Sequence, residues 1–474
     1  MKVLFVEPLK DYWFVMGEYL PPPYGLLQLA GYLESRVADA EIEVLDCQAM
    51  SLNWNGLAKR IESFNPDIVA SSGFATCNVY VTARALETAK KLKPDALTLT
   101  GGQHFTAMAQ ESLEAYPEID VIVRGEGEET LVELVRAVRE KSDFSRIKGI
   151  SFRHRQKIRH NPPRPLIEDL NQLPFPAYHF VEKYARKYHF TMMAGSKAKY
   201  GVVEASRGCP HRCTFCSQWK HWQGTWRHKS VKRVAEEMEF LYNNYGSRLL
   251  WLTDDNFGLD QRMEELCDEL VERDFSRDIT CFMQARCDDV ARNPQLVAKM
   301  SKAGINWLLL GVESHSKNTL DSFHKGTKPE DAETAVKLLK QNGIFSQATC
   351  IIGERTDSAE SMEALRQFVN HIDPDIAIFM ILTPFPGTDL YEEAKRNGWI
   401  EDWNWANYDM VHAIMPTETL TREQVQHELY KCYRGFFGSW NRRIQGVFSK
   451  NSVKRRVYRY MARQNVLRQL KGLV

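Results

Sequence analysis

Short apolar segments alternate with amphipathic helical stretches along most of the chain, and this alternation constrains its fold more than any other feature. In the first part, five apolar segments are typical of strands, and helical patterns fill the intervals. Such alternation is typical of a parallel, doubly wound α/β sheet of the flavodoxin or Rossmann type. We therefore predict one such domain over residues 1–140. Its strands are predicted at 2–7, 41–46, 67–71, 96–100 and 120–124.

Glycines and small polar residues follow three of these strands. Ligands of doubly wound sheets bind beyond the carboxyl ends of the strands, where glycine lets the backbone come close to a ligand. Turn formation would explain each glycine pair alone, whereas three such loops together favour a cofactor-binding face. The candidate residues are Ser72, Gly73, Phe74, Thr76, Gly101, Gly102, His104, Gly125, Glu126 and Gly127.

A second alternating series begins near residue 200 and contains six predicted strands. It predicts a curved α/β domain, a partial (β/α)6 barrel, over residues 196–395. The proline-rich residues 141–195 are predicted to form a linker or wrapping arm, and residues 396–474 a mainly helical extension. The strands of the second series are predicted at 200–205, 249–253, 280–284, 307–311, 347–352 and 375–382.

The charge balance excludes some classes of function. Among 474 residues, 62 are Lys or Arg and 61 are Asp or Glu, so the chain is no polycation and we expect no nucleic-acid partner. No segment reaches the roughly 18 apolar residues of a membrane-spanning helix. Residues 1–7 do not resemble a secretory signal. We therefore expect a cytoplasmic protein.

The last part of the chain is an exception to this balance. Residues 441–474 contain ten Lys or Arg and no Asp or Glu, interleaved with apolar residues such as Val457, Tyr460 and Met461. This pattern predicts either a basic amphipathic helix in peripheral contact with an anionic membrane or a solvated helix packed on its own protein.

Three of the ten cysteines lie within eight residues: Cys209, Cys213 and Cys216. Three thiolates on one short loop can bind three irons of a 4Fe–4S cluster, which leaves the fourth iron open to chelate a substrate. Zinc is the competing metal. It would need a fourth ligand to close its tetrahedron, and His211 or His221 is available for that role.

The C-x3-C-x2-C spacing after a strand, with Phe215 before the last cysteine, resembles the radical S-adenosylmethionine superfamily. The resemblance implies that residues 254–256 hold the amino group of the cofactor's methionine part and that Arg286 pairs with its carboxylate. Residues near the ends of the fourth and fifth strands would contact its ribose and adenine. The implied S-adenosylmethionine contacts are Phe215, Asp254, Asp255, Asn256, Arg286, Gly311, Glu313, Ser314, Ile352 and Gly353.

A doubly wound domain before such a barrel resembles the cobalamin-binding branch of this superfamily. Segments 206–210, 216–220 and 383–388 are particularly similar to anaerobic Mg-protoporphyrin IX monomethyl ester cyclases and to class B C-methyltransferases. The resemblance implies that the three glycine loops of residues 1–140 bind cobalamin.

One feature departs from methyl-transferring cobalamin domains with a D-x-H-x-x-G motif. Residues 7–14, the loop after the first strand, contain no histidine. We therefore expect cobalamin with no protein nitrogen below the cobalt, although His104 lies on another loop. The loop that includes Phe74 and Thr76 would pack against that lower face.

The resemblance implies an enzyme that makes a 5′-deoxyadenosyl radical and methylates an unactivated carbon from methylcobalamin. The alternative is an oxidative cyclase or hydroxylase of the Mg-protoporphyrin ester type. More distant alternatives are a methylthiotransferase and a non-catalytic cobalamin sensor. The implied partners are an electron donor of the flavodoxin or ferredoxin type and a small-molecule, tetrapyrrole, lipid or peptide substrate. Six tryptophans suggest a large planar ligand, but they are also common core residues: Trp219, Trp222, Trp226, Trp399, Trp403 and Trp405.

Overall fold

A computed structural model describes residues 1–10, 19–73, 75–154, 157–190 and 199–471, with side chains as far as residue 464. Helices and strands alternate along both halves of the chain, so the predicted α/β class is confirmed. The strands are β1 Lys2–Glu7, β2 Tyr19–Leu20, β3 Glu41–Asp46, β4 Ile68–Ser72, β5 Leu97–Gly101, β6 Val121–Val123, β7 Ile150–His154, β8 Lys157–His160, β9 His189–Phe190, β10 Lys199–Val203, β11 Ser206–Gly208, β12 Trp226–His228, β13 Ser247–Leu252, β14 Thr280–Arg286, β15 Ile305–Glu313, β16 Phe345–Ile352 and β17 Ile376–Ile381.

The α-helices fall between these strands and, after β17, form the extension that the sequence predicts. They are α1 Tyr24–Arg36, α2 Trp54–Phe64, α3 Val79–Leu92, α4 Gln103–Ala107, α5 Ala109–Ala115, α6 Glu128–Glu140, α7 Gln218–His221, α8 Val231–Tyr245, α9 Gln261–Glu272, α10 Cys287–Arg292, α11 Pro294–Lys302, α12 Lys317–Ser322, α13 Pro329–Gln341, α14 Ala359–Ile372, α15 Asp389–Arg396, α16 Arg422–Phe437, α17 Trp440–Val447 and α18 Ser452–Lys471.

The first sheet has the strand order β3-β1-β4-β5-β6-β7-β8. Its five parallel strands, taken in chain order, are arranged 2-1-3-4-5, which is the flavodoxin-like order. Both faces are buried. Val3 and Phe5 point into one apolar cluster, whereas Leu4 and Val6 point into another, and all four side chains are fully buried. Helices therefore cover both sides of the sheet, as the near-continuous apolar strands require.

Residues 141–195 form more structure than the predicted linker. β7 pairs antiparallel with β6, and β8 pairs antiparallel with β7, so this segment extends the first sheet by two strands. The Asn161 side chain then holds the following turn by donating to the carbonyls of Phe144 and Ile147, each at 2.7 Å. The boundary at residue 140 stays a prediction, because the sheet continues past it.

The second sheet contains six strands in the order β10-β13-β14-β15-β16-β17, and all neighbours pair in parallel. This arrangement matches the predicted partial barrel. Because the strands are parallel, the loops after β10, β13, β14, β15, β16 and β17 meet at one edge of the sheet. The residues predicted to bind the cluster and S-adenosylmethionine follow or end these strands.

The helical extension packs on the barrel. The apolar side of α18 is turned inward, since Val453, Val457 and Tyr458 are buried. Within the part of the chain that the structure describes, no helix is both long enough and apolar enough to cross a membrane.

Candidate functional site

The glycine loops of the first sheet surround a cavity of about 80 Å3. Gly102 has a φ of 97°, and a Cβ there would lie 2.5 Å from the Gly73 carbonyl oxygen, so no side chain fits between these two loops. The Thr100 hydroxyl is buried without a hydrogen-bond partner among the described residues. A glycine-walled cradle with an unpaired hydroxyl fits part of a cofactor such as cobalamin. Predicted residues in its wall are Ser72, Gly101, Gly102, Gly125 and Gly127.

The other residues that we predict to bind cobalamin do not line this cavity, and one of them lies outside the described residues. Phe74 is not among the described residues. Thr76 begins a short 3-10 turn, and the His104 ring packs edge-on against Trp405 with centroids 5.0 Å apart. His104 is 2% exposed and its Nδ1 lacks a partner among the described residues. Burial lowers the pKa of His104 to about 4, so its imidazole is neutral near pH 7.

The Glu126 side chain takes part in an ion-pair network between the two sheets. Arg207 of β11 contacts Glu126 at 2.7 Å, Glu128 at 2.6 Å and Glu204 at 2.9 Å. Arg227 adds a second contact to Glu126 at 3.0 Å. Through these contacts, Glu126 joins the cobalamin-side loop to the segment that precedes the cysteine loop, and its carboxylate is occupied. Only its backbone is left for a cofactor.

The three motif cysteines are brought together on the loop after β11. The backbone N–H of Cys216 donates to the Cys213 carbonyl at 3.1 Å, which closes the turn. Burial, with smaller contributions from the negative charges of Asp255, Cys213 and Cys209, raises the pKa of the Cys216 thiol to about 12. Among the described residues, no three His, Cys, Asp or Glu side chains form a group that could hold a single metal ion, whereas a 4Fe–4S cluster takes each thiolate on a different iron.

Buried charge also acts on Cys213. Burial raises the pKa of its thiol, whereas the nearby Lys325 ammonium lowers it. Lys325 is itself held by Glu313, with Nζ 2.8 Å from the carboxylate oxygen. The Glu313 carboxylate acts in the opposite direction, and the pKa of the Cys213 thiol stays raised.

Three tryptophans near this loop support its backbone and the neighbouring strand end. The indole N–H of Trp219 donates to the Cys213 carbonyl at 3.2 Å, that of Trp222 to the Asp255 carboxylate at 3.2 Å, and that of Trp226 to the Asn256 carbonyl at 3.0 Å. Each therefore has a structural task. Of the other three tryptophans in the predicted set, Trp405 packs on His104, Trp399 lies under the Arg355 guanidinium and Trp403 is 50% exposed.

Of the three polar residues after β13, one holds the neighbouring backbone and two can accept hydrogen bonds from a ligand. Asp254 accepts hydrogen bonds from the Ser206 hydroxyl and the Ala205 N–H, so its carboxylate fixes the start of the cysteine loop. Burial, and to a smaller extent the neighbouring Asp254 charge, raises the pKa of Asp255 to about 7. Asn256 is 4% exposed, and its side-chain oxygen has no partner among the described residues. Asp255 and Asn256 can thus accept hydrogen bonds from an ammonium group.

The ends of β14 and β15 meet around a buried charge cluster. Arg286 contacts Asp288 at 3.0 Å and donates to the Lys325 carbonyl at 2.6 Å. Glu313 has a φ of 60°, a strained conformation that bends the chain at the strand end. A Cβ at Gly311 would lie 2.6 Å from the Lys325 ammonium, so a side chain there would displace the ion pair.

The remaining residues predicted to contact S-adenosylmethionine lie partly at the edge of the site and partly in the core. The Ser314 hydroxyl accepts a hydrogen bond from the Ser316 N–H at 3.1 Å. Gly353 has a φ of 83° and donates to Asp357 at 2.9 Å. The Ile352 side chain is fully buried in the main core, which leaves its backbone at the site edge. Phe215 meets Phe323 edge-on at 5.0 Å, beside the cysteine loop.

A polar bridge connects the glycine cradle with the cysteine loop. Gln103, the first residue of α4 after Gly102, donates to the Gln218 side chain at 2.6 Å and accepts from the Ser217 hydroxyl at 2.9 Å. Ser217 directly follows Cys216. The two predicted cofactor sites therefore share a wall.

Sequence reasoning missed several residues that build this site. Thr100, Arg207, Lys325 and Gln103 were not among the predicted contacts. The position of Thr100 before a glycine pair at a strand end was a usable signal. Arg207, Lys325 and Gln103 contact partners that are remote in sequence, so no local sequence pattern predicts their roles.

Comparisons with known proteins agree with this arrangement. The B12 binding domain model matches residues 16–135, and the Radical SAM superfamily model matches residues 203–369. An uncharacterised methyltransferase of Pyrococcus horikoshii is 32% identical, over 92% of each chain. An anaerobic magnesium-protoporphyrin IX monomethyl ester cyclase of Rubrivivax gelatinosus is 31% identical, over 96% of this chain and 80% of its own.

A solved structure has the same fold. It is the radical S-adenosylmethionine methyltransferase TsrM of Kitasatospora setae with cobalamin and a [4Fe-4S] cluster bound. The TM-score is 0.76 with 17% identity, and the match covers 100% of this chain and 99% of that one.

A cobalamin-type domain beside a three-cysteine parallel barrel defines a class of cobalamin-dependent radical enzymes. The chain belongs to the cobalamin-binding radical S-adenosylmethionine family. Its cofactors are a 4Fe–4S cluster, S-adenosylmethionine and cobalamin, and the zinc alternative is left without support. Members of this superfamily need a reductant and act on small molecules.

Proposed function

We propose that this enzyme transfers a methyl group to an unactivated carbon of an apolar substrate. The carrying observation is the Gln103 bridge, which sets the glycine cradle directly against the cysteine loop. When bound, the cluster and S-adenosylmethionine supply a carbon-centred radical, and cobalamin supplies a methyl group to a radical. A shared wall suits that pairing, because a substrate radical must meet its methyl donor before it is quenched.

Particular residues of the chain hold these groups in the proposal. Cys209, Cys213 and Cys216, which share one loop, ligate the cluster. Asp255 and Asn256 accept the ammonium of S-adenosylmethionine, because both have free acceptor capacity at a buried strand end. Arg286, which is 7% exposed, pairs with the carboxylate of the cofactor's methionine part.

Cobalamin and the outer part of S-adenosylmethionine have their own proposed contacts. Gly101, Gly102, Gly125 and Gly127, with the Thr100 hydroxyl, receive part of the cobalamin. The backbone at residues 311–314 and 352–353 lines the outer part of the S-adenosylmethionine site, since these segments end β15 and β16 at the same sheet edge.

The surroundings of Phe215 support an apolar substrate. Phe215 borders an apolar cluster that contains Met108 from the first domain, Ile351 and Phe323 from the barrel and Tyr408 from the extension. A wall built from all three parts, next to the cysteine loop, suits a tetrapyrrole or a lipid better than a polar peptide.

We also infer an acidic one-electron donor of the flavodoxin or ferredoxin type. The Trp219 ring lies beside the cysteine loop between two cations, with Arg212 at 5.9 Å and Lys220 at 5.4 Å from its centroid. Lys220 is also paired with Asp389, whereas Arg212 is exposed, so the positive charge beside the loop that would attract an acidic carrier is mainly that of Arg212.

The second candidate is oxidative cyclisation, which the 31% identity to a cyclase over most of both chains favours. Labelled S-adenosylmethionine separates the two reactions. With a deuterated methyl group and a tetrapyrrole or hopanoid lipid as candidate substrate, we expect a product heavier by one CD3 group. S-adenosylhomocysteine and 5′-deoxyadenosine should form in about equal amounts, because one molecule makes the radical and another supplies the methyl group. Mass spectrometry measures all three.

Oxidation would give a different set of products from the same reaction. 5′-Deoxyadenosine would form without S-adenosylhomocysteine, and product oxygen would come from labelled water. An unlabelled, oxygenated product would therefore replace methyl transfer by the cyclase reaction. Omission of the reductant is the control, since neither co-product should then form.

A further prediction concerns the lower face of cobalt. His104 packs on Trp405 and does not line the glycine cradle, so we expect no protein nitrogen on cobalt. Electron paramagnetic resonance of the protein with cob(II)alamin should show no superhyperfine splitting from a protein nitrogen, and His104→Ala should leave the spectrum unchanged. Splitting that disappears in His104→Ala would make His104 the ligand and the proposal wrong.

A further inference from the structure

Three large apolar side chains form an exposed row on the helical extension. Trp440 is 74%, Ile444 57% and Phe448 74% exposed. They recur every four residues along α17 and its C-terminal cap, so they lie on one face of the helix. We call these three residues the apolar ridge.

The opposite face of α17 fixes the direction in which the ridge points. Gly446 is buried, and a Cβ there would lie 2.2 Å from ring atoms of Tyr458. A glycine is therefore required for α17 to pack directly on α18. That contact turns the ridge away from the protein.

Several cations lie near the ridge along the chain, and residues 441–474 contain no acidic residue. The Arg443 guanidinium lies 5.4 Å from the Trp440 ring, and Arg459 donates to the carbonyl of Val447 at the end of α17. Lys450 and Arg463 are exposed nearby in the sequence. An exposed Trp–Ile–Phe row flanked by Lys and Arg is the pattern of a helix that lies in the membrane interface.

The extension is anchored at the end of the barrel that lies opposite the cofactor site. Arg442 contacts Asp373 at 2.7 Å, Lys454 contacts Asp375 at 2.8 Å, and Tyr458 donates to the Asp375 carbonyl at 2.8 Å. These aspartates precede β17, whereas the cysteine loop lies at the carboxyl edge of the sheet. The six residues of β17 alone separate the two ends by about 20 Å. An electron carrier on the ridge would therefore be far from the cluster.

We propose that the apolar ridge and its flanking cations bind the surface of an anionic phospholipid bilayer. Trp440, Ile444 and Phe448 enter the boundary between headgroups and acyl chains, and the cations contact lipid phosphates. The inserting element is α17. The sequence pattern pointed instead to apolar residues of α18 such as Val457, but that side chain is buried against the barrel. The proposal is independent of which reaction the enzyme catalyses.

Sedimentation with vesicles tests the proposal on the full-length protein. We expect binding to phosphatidylglycerol–phosphatidylcholine vesicles at low salt, weaker binding at high salt and little binding to pure phosphatidylcholine. A W440S/I444S/F448S variant should bind about ten-fold less. Val271→Ser is the matched control, because Val271 is also exposed, at 51%, but lies on α9; it should bind like the wild type.

A second measurement covers the case in which the triple variant folds poorly. Brominated lipids should quench part of the tryptophan fluorescence of the wild type, and Trp440→Phe should remove that part while binding persists. Equal binding by wild type and a triple variant of native circular dichroism would overturn the proposal. So would an absence of wild-type binding to anionic vesicles, or a ridge that binds an acidic carrier protein but no lipid.

Discussion

Replacement of Cys209, Cys213 and Cys216 together by alanine is expected to remove the iron–sulfur cluster and to abolish S-adenosylmethionine cleavage. The three thiols lie on a single loop, and in the proposal each supplies one iron ligand. After anaerobic reconstitution, the wild type should hold about four irons per chain with charge-transfer absorption, and the variant should hold none. Iron analysis and 5′-deoxyadenosine formation measure the two effects.

The control uses cysteines outside the loop. Cys267 and Cys281 are fully buried core thiols, so a variant with both changed to alanine should keep a full cluster, with a modest loss of stability. A full cluster in the loop variant would show that the three loop cysteines are not the cluster ligands. Loss of the cluster in the control alone would assign Cys267 or Cys281 as a ligand instead.

Arg207→Met is expected to destabilise the protein by about 3–5 kcal/mol, because it leaves buried carboxylates without their partner. Burial raises the pKa of Glu128, but attraction to Arg207 outweighs this and holds that pKa below its usual range. The stabilisation is therefore present above the ordinary glutamate pKa of about 4.3 and is lost as the pH falls through the lower folded value. Denaturant unfolding at neutral and acidic pH measures both effects.

The same change should also uncouple the two cofactor sites. Glu126 and Glu128 belong to the cobalamin-side loop, and Arg207 lies two residues before Cys209. Without the guanidinium, we expect 5′-deoxyadenosine to form with less methylated product per molecule. The ratio of the two is the readout, since a purely structural loss would lower both equally.

Two further variants make this test specific. Arg273 also contacts two glutamates, Glu239 and Glu269, but at the surface of the barrel, so Arg273→Met should cost about 1 kcal/mol or less. Glu126→Gln and Glu128→Gln, added to Arg207→Met, should restore part of the lost stability by removing the unpaired charges. An Arg207 variant no less stable than the Arg273 variant would contradict the role of the network.

The sequence by itself determined those features that depend on local spacing. The alternation of apolar runs and helical patterns predicted eleven of the parallel strands and the flavodoxin-like and barrel-like sheets. The cysteine spacing predicted the cluster loop. Both are local properties: a strand or a short loop places its own residues relative to one another, whatever the rest of the chain does. The 17% identity with a solved structure of the same fold shows how few residue identities that requires.

Only the tertiary structure decided which distant charges meet. The pairs of Arg207 with Glu126 and Glu128 span 81 and 79 residues, and the Gln103 bridge to Gln218 spans 115. It also decided that Glu126 serves the domain junction, that β7 and β8 extend the first sheet, and that α17 rather than α18 exposes its apolar side. These outcomes depend on how complete sheets and helices pack against each other, because packing alone determines which side chains lose water and which partners remain within reach.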